Sequence, residues 1–185
     1  VSYLFRTFDD MPLLEQTALN MAKGTILDIG CGAGSHSLFL QEKGFEIKSI
    51  DISPKAIECC RQRGLQNVDV LNVLNETNSF DTLLLLMNGS GIFKSLEQTP
   101  EVLAHLKTLL NKNGQILVDS SDIKYMYEDE DSGFWMDAHS AYYGELEYMV
   151  CYKNKEDSFL WMYLDFERLK TACTIVGLSC EKVID

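Results

Sequence analysis

The sequence predicts an α/β fold in which a mainly parallel, doubly wound sheet carries helices on both faces. Short apolar runs typical of buried strands alternate with helix-like segments along most of the chain. A glycine ends most of these helices just before the next apolar run, as at Gly24, Gly44, Gly64, Gly114 and Gly177. Alternation of this kind is typical of right-handed crossovers between parallel strands.

The helix starts are marked by side chains that can accept hydrogen bonds from free backbone amides. Such capping side chains open predicted helices at residues 12–23, 53–63, 99–111 and 166–176, and they are Asp10, Ser53, Thr99 and Asp165. The predicted strands between them cover residues 26–29, 45–52, 68–73, 80–87, 115–119 and 178–184.

An antiparallel hairpin is predicted near the C-terminus. Residues 142–152 and 158–166 are both rich in aromatic side chains and have strand character, and a polar stretch, 153–157, separates them. The hairpin therefore interrupts the alternation of strands and helices.

Composition favours one domain over residues 1–185 and disfavours some partners. The chain is 46% hydrophobic and carries a formal charge of -12, which repels nucleic acids and anionic membranes. Its six cysteines show no zinc-type or Cys-x-x-Cys spacing, so we predict no metal site and expect free thiols in a reducing cytoplasm. The sequence contains no apolar run of 18 residues.

Residues 25–40 indicate a ligand site at the end of the first strand. Gly30, Gly32 and Gly34 separate an apolar strand from the start of a helix, so that a ligand can lie against bare backbone. A dinucleotide-binding fingerprint would need a further glycine where Ser35 stands, and Asp28 precedes the first glycine by two positions.

The pattern Asp-x-Gly-x-Gly-x-Gly at residues 28–34 resembles motif I of the class I S-adenosylmethionine-dependent methyltransferases. Asp51 is a second match, because it ends the second strand 21 positions after Gly30, where an acidic residue can accept both ribose hydroxyls. The resemblance covers about residues 20–120. It implies a Rossmann-like fold and S-adenosylmethionine as the cofactor.

The resemblance also implies positions for the parts of the cofactor. The methionine part is expected beside the glycine turn, the ribose beside Asp51, the adenine near the ends of the second and third strands, and the sulfonium facing the loop from Asn88. The implied cofactor-binding residues are Asp28, Gly30, Cys31, Gly32, Gly34, His36, Asp51, Ile52, Asn72, Val73 and Asn88.

Four of these residues have a simpler interpretation that the sequence leaves open. Asp51 can cap the helix that follows it, Asn72 can belong to an ordinary turn, and Asn88 can occupy a left-handed turn. His36 can face solvent.

The resemblance also implies an acceptor pocket, formed by segments that in members of the family face the acceptor or lie over the cofactor or substrate. An aromatic N-terminal segment, residues 1–10, is a candidate lid, and an insertion at about 122–166 is expected to cover the substrate. The candidate pocket residues are Tyr3, Phe5, Arg6, Ser90, Phe93, Tyr125 and Tyr142, with further aromatic side chains at Tyr127, Phe134, Trp135 and Tyr143. An aromatic core beneath the hairpin is the alternative.

The predicted activity is methyl transfer to a small molecule. No dedicated base is obligatory, and His139 is a candidate for one. Methylation of protein or RNA and a noncatalytic S-adenosylmethionine-binding module are the alternatives, while Ser35 argues against a dehydrogenase. We expect the family's last antiparallel strand to be missing from this sequence.

Overall fold

The structure, a computed structural model, describes residues 2–127 and 142–185. These residues belong to two compact units, the first formed by residues 2–89, 105–119 and 184–185 and the second by residues 90–104, 120–127 and 142–183. Within the described ranges, every helix is too short or too polar to cross a membrane.

Five parallel strands form the central sheet. They are β1 (Ile26–Ile29), β2 (Ile47–Asp51), β3 (Val68–Val70), β4 (Phe80–Leu85) and β5 (Leu110–Val118), in the spatial order β3-β2-β1-β4-β5. Every neighbouring pair runs parallel. Ligands of sheets with this topology bind at the carboxyl ends of the strands, and β1 lies at the point where the strand order reverses.

The described residues also form α-helices. They are α1 (Leu13–Met21), α2 (Ser35–Glu42), α3 (Pro54–Gln62), α4 (Thr99–Thr108) and α5 (Phe166–Ile175). One apolar cluster joins α1 and α2 to β1, β2 and β4 through residues such as Leu19, Leu40 and Leu84, and a second joins α3 to β3 through Ile57 and Val68. The predicted doubly wound α/β fold is confirmed.

The predicted hairpin is also confirmed. Strands β6 (Glu145–Tyr152) and β7 (Lys155–Met162) pair antiparallel from Glu145 opposite Met162 to Tyr152 opposite Lys155. The turn contains only Lys153 and Asn154, and Lys153 has a φ of 55°. The second strand therefore begins three residues earlier than predicted.

Three predicted boundaries are wrong. Asp10 does not cap α1, because its carboxylate accepts a hydrogen bond from the Thr7 hydroxyl at 2.7 Å and Pro12 occupies the cap. Strand β5 begins before its predicted start because Leu110 already pairs with Phe80 ahead of an irregularity in the register. The predicted strand at 178–184 does not form, since none of the described residues pairs with it.

Candidate functional site

The turn between β1 and α2 forms an open backbone cradle. Gly30, Gly32 and Gly34 have φ values of 75°, 55° and 80°, a region that side chains other than glycine rarely adopt. A Cβ atom on Gly30 or Gly32 would have no neighbour within 4 Å, whereas one on Gly34 would lie 2.5 Å from Leu65 Cδ1. The first two glycines thus leave space for a ligand, and the third allows the turn to pack on the protein.

Asp28 lies beneath this turn. Its side chain is 2% exposed and accepts a hydrogen bond from Ser37 Oγ at 2.5 Å, while Ser49 Oγ donates to Ser37 Oγ at 2.7 Å. Burial raises the pKa of Asp28 above its ordinary value. The chain of polar groups ties β1 to α2 and β2, so it fixes the orientation of the turn.

Asp51 joins the turn to the end of β2. Its Oδ2 accepts a hydrogen bond from the Gly32 amide at 3.0 Å, and its Oδ1 accepts one from the Ser53 amide at 2.8 Å. The cap of α3 is the Ser53 hydroxyl, which accepts a hydrogen bond from the Ala56 amide at 3.3 Å. The half-buried Asp51 carboxylate therefore stands at the cradle and is not the cap of that helix.

Exposed apolar side chains lie at the carboxyl ends of β2 and β3. Ile52 is 74% exposed, and Val70 and Leu74 are about half exposed. Asn72 accepts a hydrogen bond from the Leu74 amide at 3.0 Å, which matches the turn role left open for it, and Val73 is buried. Sequence reasoning missed Val70 and Leu74, whose exposure depends on where β3 ends.

A cavity of about 340 Å³ lies within the first unit, against the start of α1 and the carboxyl ends of β4 and β5. Its lining residues are Tyr3, Pro12, Leu14, Glu15, Met87, Asn88 and Asp119. Tyr3 and Asn88 were predicted as site residues, and the other five were not.

The turn after β4 forms one wall of the cavity. Met87 and Asn88 have φ values of 65° and 58°, so the left-handed conformation considered for Asn88 is present. The Gly89 amide donates to Asp119 Oδ1 at 2.7 Å, and the amides of Met87 and Asn88 also donate to this carboxylate. Burial and the nearby Glu15 raise the pKa of Asp119 above its ordinary value.

A buried charge cluster connects the cavity to the glycine turn. Glu15 is 3% exposed, forms an ion pair with Arg6 and lies 2.6 Å from His36 Nε2. His36 is itself only 6% exposed, so the solvent-facing alternative for it is wrong. Burial opposes ionisation of Glu15, but the hydrogen bonds with His36 and Arg6 hold its pKa below the ordinary value.

The N-terminal segment lies on the glycine turn. Ser35 Oγ donates to the Leu4 carbonyl at 2.8 Å, and the Arg63 guanidinium lies 5.0 Å from the centre of the Phe5 ring. The Arg6 guanidinium stacks on Tyr3 at 3.8 Å. Tyr3 and Phe5 are each about half exposed, whereas Arg6 is buried. Part of the lid predicted for residues 1–10 is therefore in contact with the glycine turn.

Cys31 contributes a buried thiol to the underside of the turn. Its Sγ lies 3.9 Å from Cys60 Sγ, and the Cys60 thiol donates to the Gly32 carbonyl at 3.2 Å. The contact with Cys60 and burial raise the pKa of Cys31 well above its ordinary range. The Cys31 thiol is therefore a poor nucleophile.

The remaining pocket candidates belong to the second unit. Phe93 and Tyr142 are almost fully buried, with the Tyr142 hydroxyl donating to Asp165 at 2.8 Å, and Ser90 Oγ lies 3.1 Å from Ser120 Oγ. These placements match the alternative of a core beneath the hairpin.

The other candidate of this unit is not buried, since Tyr125 is 71% exposed. His139, Phe134 and Trp135 lie outside the described residues.

Comparisons with known proteins agree with this geometry. A family model described as a methyltransferase domain matches residues 20–164. The crystal structure of an S-adenosylmethionine-dependent methyltransferase from Bacteroides fragilis, in complex with S-adenosyl-L-homocysteine, is 45% identical to the chain. It superposes with a TM-score of 0.92 over 100% of this chain and 76% of that chain.

Two curated relatives are more distant. The 2-heptyl-1-hydroxyquinolin-4(1H)-one methyltransferase of Mycobacteroides abscessus is 36% identical over 46% of this chain and 39% of that protein. The glycine/sarcosine/dimethylglycine N-methyltransferase of Actinopolyspora halophila is 26% identical over 75% of this chain and 28% of that protein. The chain spans less than half the length of the curated relatives it matches.

Proposed function

The chain belongs to the family of class I S-adenosylmethionine-dependent methyltransferases, with S-adenosylmethionine as its cofactor, and we propose that it methylates a small molecule. The observation that carries this proposal is the cavity of about 340 Å³ at the ends of β4 and β5. Glu15 on its wall contacts His36 in the first turn of α2, so the cavity adjoins the element that follows the glycine turn.

The residues of the first unit fit the cofactor by shape and by chemistry. Gly30 and Gly32 present bare backbone to open space, as close approach of a ligand requires. Asp51 is a carboxylate at the end of β2 and would accept the ribose hydroxyls. The exposed Ile52, Val70 and Leu74 offer an apolar surface that suits a flat aromatic base.

The cofactor, when bound, supplies a methyl carbon already activated by its attachment to a sulfonium. The protein's task is then chiefly to hold the acceptor in line with that carbon, and such positioning can contribute about 7 to 11 kcal/mol. Tyr3, Leu14 and Met87 would exclude water from this part of the site, while Asn88 and Asp119 offer polar atoms for orienting the acceptor.

A small acceptor is favoured over a protein or RNA acceptor for three reasons. The cavity has a limited volume, and the chain's net charge of -12 opposes an RNA backbone. The two relatives named for their substrates act on small molecules.

The test is a screen for production of S-adenosylhomocysteine from S-adenosylmethionine with panels of amines, phenols, carboxylic acids, peptides and short RNAs. We expect turnover with at least one small-molecule panel and with no peptide or RNA panel. Turnover only with peptides or RNA would reassign the acceptor. Tight cofactor binding with no turnover in any panel would favour the noncatalytic module.

The cytoplasm is the compartment that this proposal implies. All six cysteines are free thiols, which matches a reducing environment. Cell fractionation of the source organism with an antibody against the protein checks this placement.

A further inference from the structure

The two carboxylates on the cavity wall differ in whether a side chain of opposite charge is paired with them. The described lining residues include two carboxylates, Glu15 and Asp119, and no Lys, Arg or His. Glu15 is neutralised by the buried Arg6. Among residues 2–127 and 142–185, no cationic side chain forms an ion pair with Asp119. The net charge of the wall therefore comes from Asp119.

The Asp119 carboxylate is held in place by backbone groups. It accepts hydrogen bonds from the amides of Met87, Asn88 and Gly89, the last at 2.7 Å. Two consecutive residues of this turn have positive φ, which is costly for Met87 and requires support from the surroundings. The turn and the carboxylate fix each other, so the negative charge has a defined position on the cavity wall.

A half-buried carboxylate that only neutral amides stabilise attracts a cation from solution. No side chain of opposite charge among the described residues repays its loss of hydration. Burial and the proximity of Glu15 both raise the pKa of Asp119, as expected for a buried carboxylate close to another negative charge. The formal charge of -12 on the whole chain adds a field of the same sign.

We propose that the methyl acceptor is an amine, bound as an ammonium, and that Asp119 is the residue that recognises it. This inference rests on the proposed function and names its substrate class. An acceptor carrying a carboxylate or phosphate at this position would face Asp119 with a like charge and is selected against. Alcohols and phenols can bind, but they gain no ion pair.

Methyl transfer from the sulfonium to an amine balances in both atoms and charge. The bound ammonium first releases one proton to water, and the nitrogen lone pair then forms the new bond to the methyl carbon while the carbon–sulfur bond breaks towards sulfur. Asp119 needs no covalent role in this sequence. Its contribution is to concentrate and orient the amine, which is the effect that a binding experiment measures.

The experiment is a set of calorimetric titrations into protein saturated with S-adenosylhomocysteine. The probes are three matched sets of amine, alcohol and carboxylate: ethanolamine, ethylene glycol and glycolate; benzylamine, benzyl alcohol and benzoate; glucosamine, glucose and glucuronate. In at least one set we expect the amine to bind about tenfold tighter than the alcohol, or about 1.4 kcal/mol, and the carboxylate to bind most weakly.

The variant Asp119→Asn keeps a carbonyl oxygen for the turn and removes the charge, so it should abolish the preference for the amine. The matched control, Asp69→Asn, removes the same charge from an exposed position on β3 and should preserve it. The proposal is overturned if no set favours its amine, if a carboxylate binds best, or if Asp119→Asn keeps the preference.

A separate titration distinguishes the acceptor from the cofactor as the partner of Asp119. The variant Asp119→Asn could weaken binding of S-adenosylmethionine but not of S-adenosylhomocysteine, whose sulfur carries no charge, and leave amine binding unchanged. In that case the carboxylate serves the sulfonium and the proposal is wrong. Failure of S-adenosylhomocysteine to bind the wild-type protein would instead remove the proposed function, and the acceptor proposal with it.

Discussion

The glycine turn after β1 and the β6–β7 hairpin are held in different ways. The turn is fixed by residues distant in sequence, since Gly32 contacts Asp51, Ser35 contacts Leu4, and Arg63 donates to the Ala33 carbonyl. The tip of the hairpin is fixed mainly by its own ladder, and its side chains remain exposed. Met149 and Tyr152 are each about 70% exposed there.

This difference indicates where the structure constrains function. A turn fixed from several sides can hold a ligand at low entropic cost, because little further ordering is needed on binding. A hairpin tip with few contacts can change its sequence without disturbing the rest of its unit. Substitutions in the two regions should therefore differ in kind as well as in size.

The largest effect is expected for Glu15→Gln. The substitution leaves the buried Arg6 without a counter-charge, so the free energy of unfolding at pH 7 should fall by about 3 to 5 kcal/mol in urea titrations. Glu46→Gln, on an exposed side chain, should change it by less than about 0.5 kcal/mol. If Glu15→Gln lowers the free energy of unfolding as little as Glu46→Gln does, the buried cluster of Arg6, Glu15 and His36 does not stabilise the protein around the site.

The pH dependence of this effect follows from the low pKa of Glu15 in the folded protein. The ion pair stabilises the protein fully above about pH 4.5, the ordinary pKa of the group, and this stabilisation is lost as the pH falls through the folded pKa. The difference between wild type and Glu15→Gln should therefore shrink in acid. If the difference in free energy of unfolding between wild type and Glu15→Gln stays constant from pH 7 to pH 3, the stabilisation does not come from the ionised Glu15 carboxylate.

The next largest effect is expected for Gly32→Val. A β-branched side chain is strained at a φ of 55° and would occupy the cradle, so the Kd for S-adenosylhomocysteine should rise by about 100-fold or more, roughly 2.7 kcal/mol. Gly44→Val imposes a comparable strain at a φ of 86°, also facing open space, at the end of α2. Only the first variant should lose affinity in calorimetry while both remain folded by circular dichroism. Equal losses of affinity in the two variants would mean that backbone strain, and not a blocked cradle, weakens S-adenosylhomocysteine binding.

The smallest effect is expected at the hairpin. Val150→Thr alters a side chain that is 49% exposed and should change the free energy of unfolding by less than about 0.5 kcal/mol. The same substitution at Val68, which is 4% exposed in β3, buries a hydroxyl and should cost about 1 to 3 kcal/mol. A large loss at Val150 would show that another part of the protein covers the hairpin tip.

The parts of the fold that sequence reasoning predicted correctly depend on local chemistry. Ser53 and Asp165 cap the helices predicted from them, because a capping hydrogen bond spans only three residues. The glycine turn and Asp51 were recognised by their spacing. Their open backbone and position at a strand end are again local properties.

The parts that were missed depend on contacts between distant residues. Glu15 and Asp119 belong to no motif, and only the fold brings them to one cavity with Met87. Residues 178–184 have the composition of a strand, but a strand requires a neighbour with which to pair. The start of β5 was hidden by an Asn-Lys-Asn-Gly sequence that is typical of a turn.

The most direct test of the central claim is calorimetric titration of S-adenosylhomocysteine into the wild-type protein, Asp51→Ala and Ser53→Ala. The last variant removes the cap of α3 and keeps the Asp51 carboxylate, so it separates helix capping from cofactor binding. We predict that Asp51→Ala raises the Kd about tenfold or more, roughly 1.4 kcal/mol, while Ser53→Ala leaves it within about twofold. Equal affinities of wild type and Asp51→Ala would contradict the account.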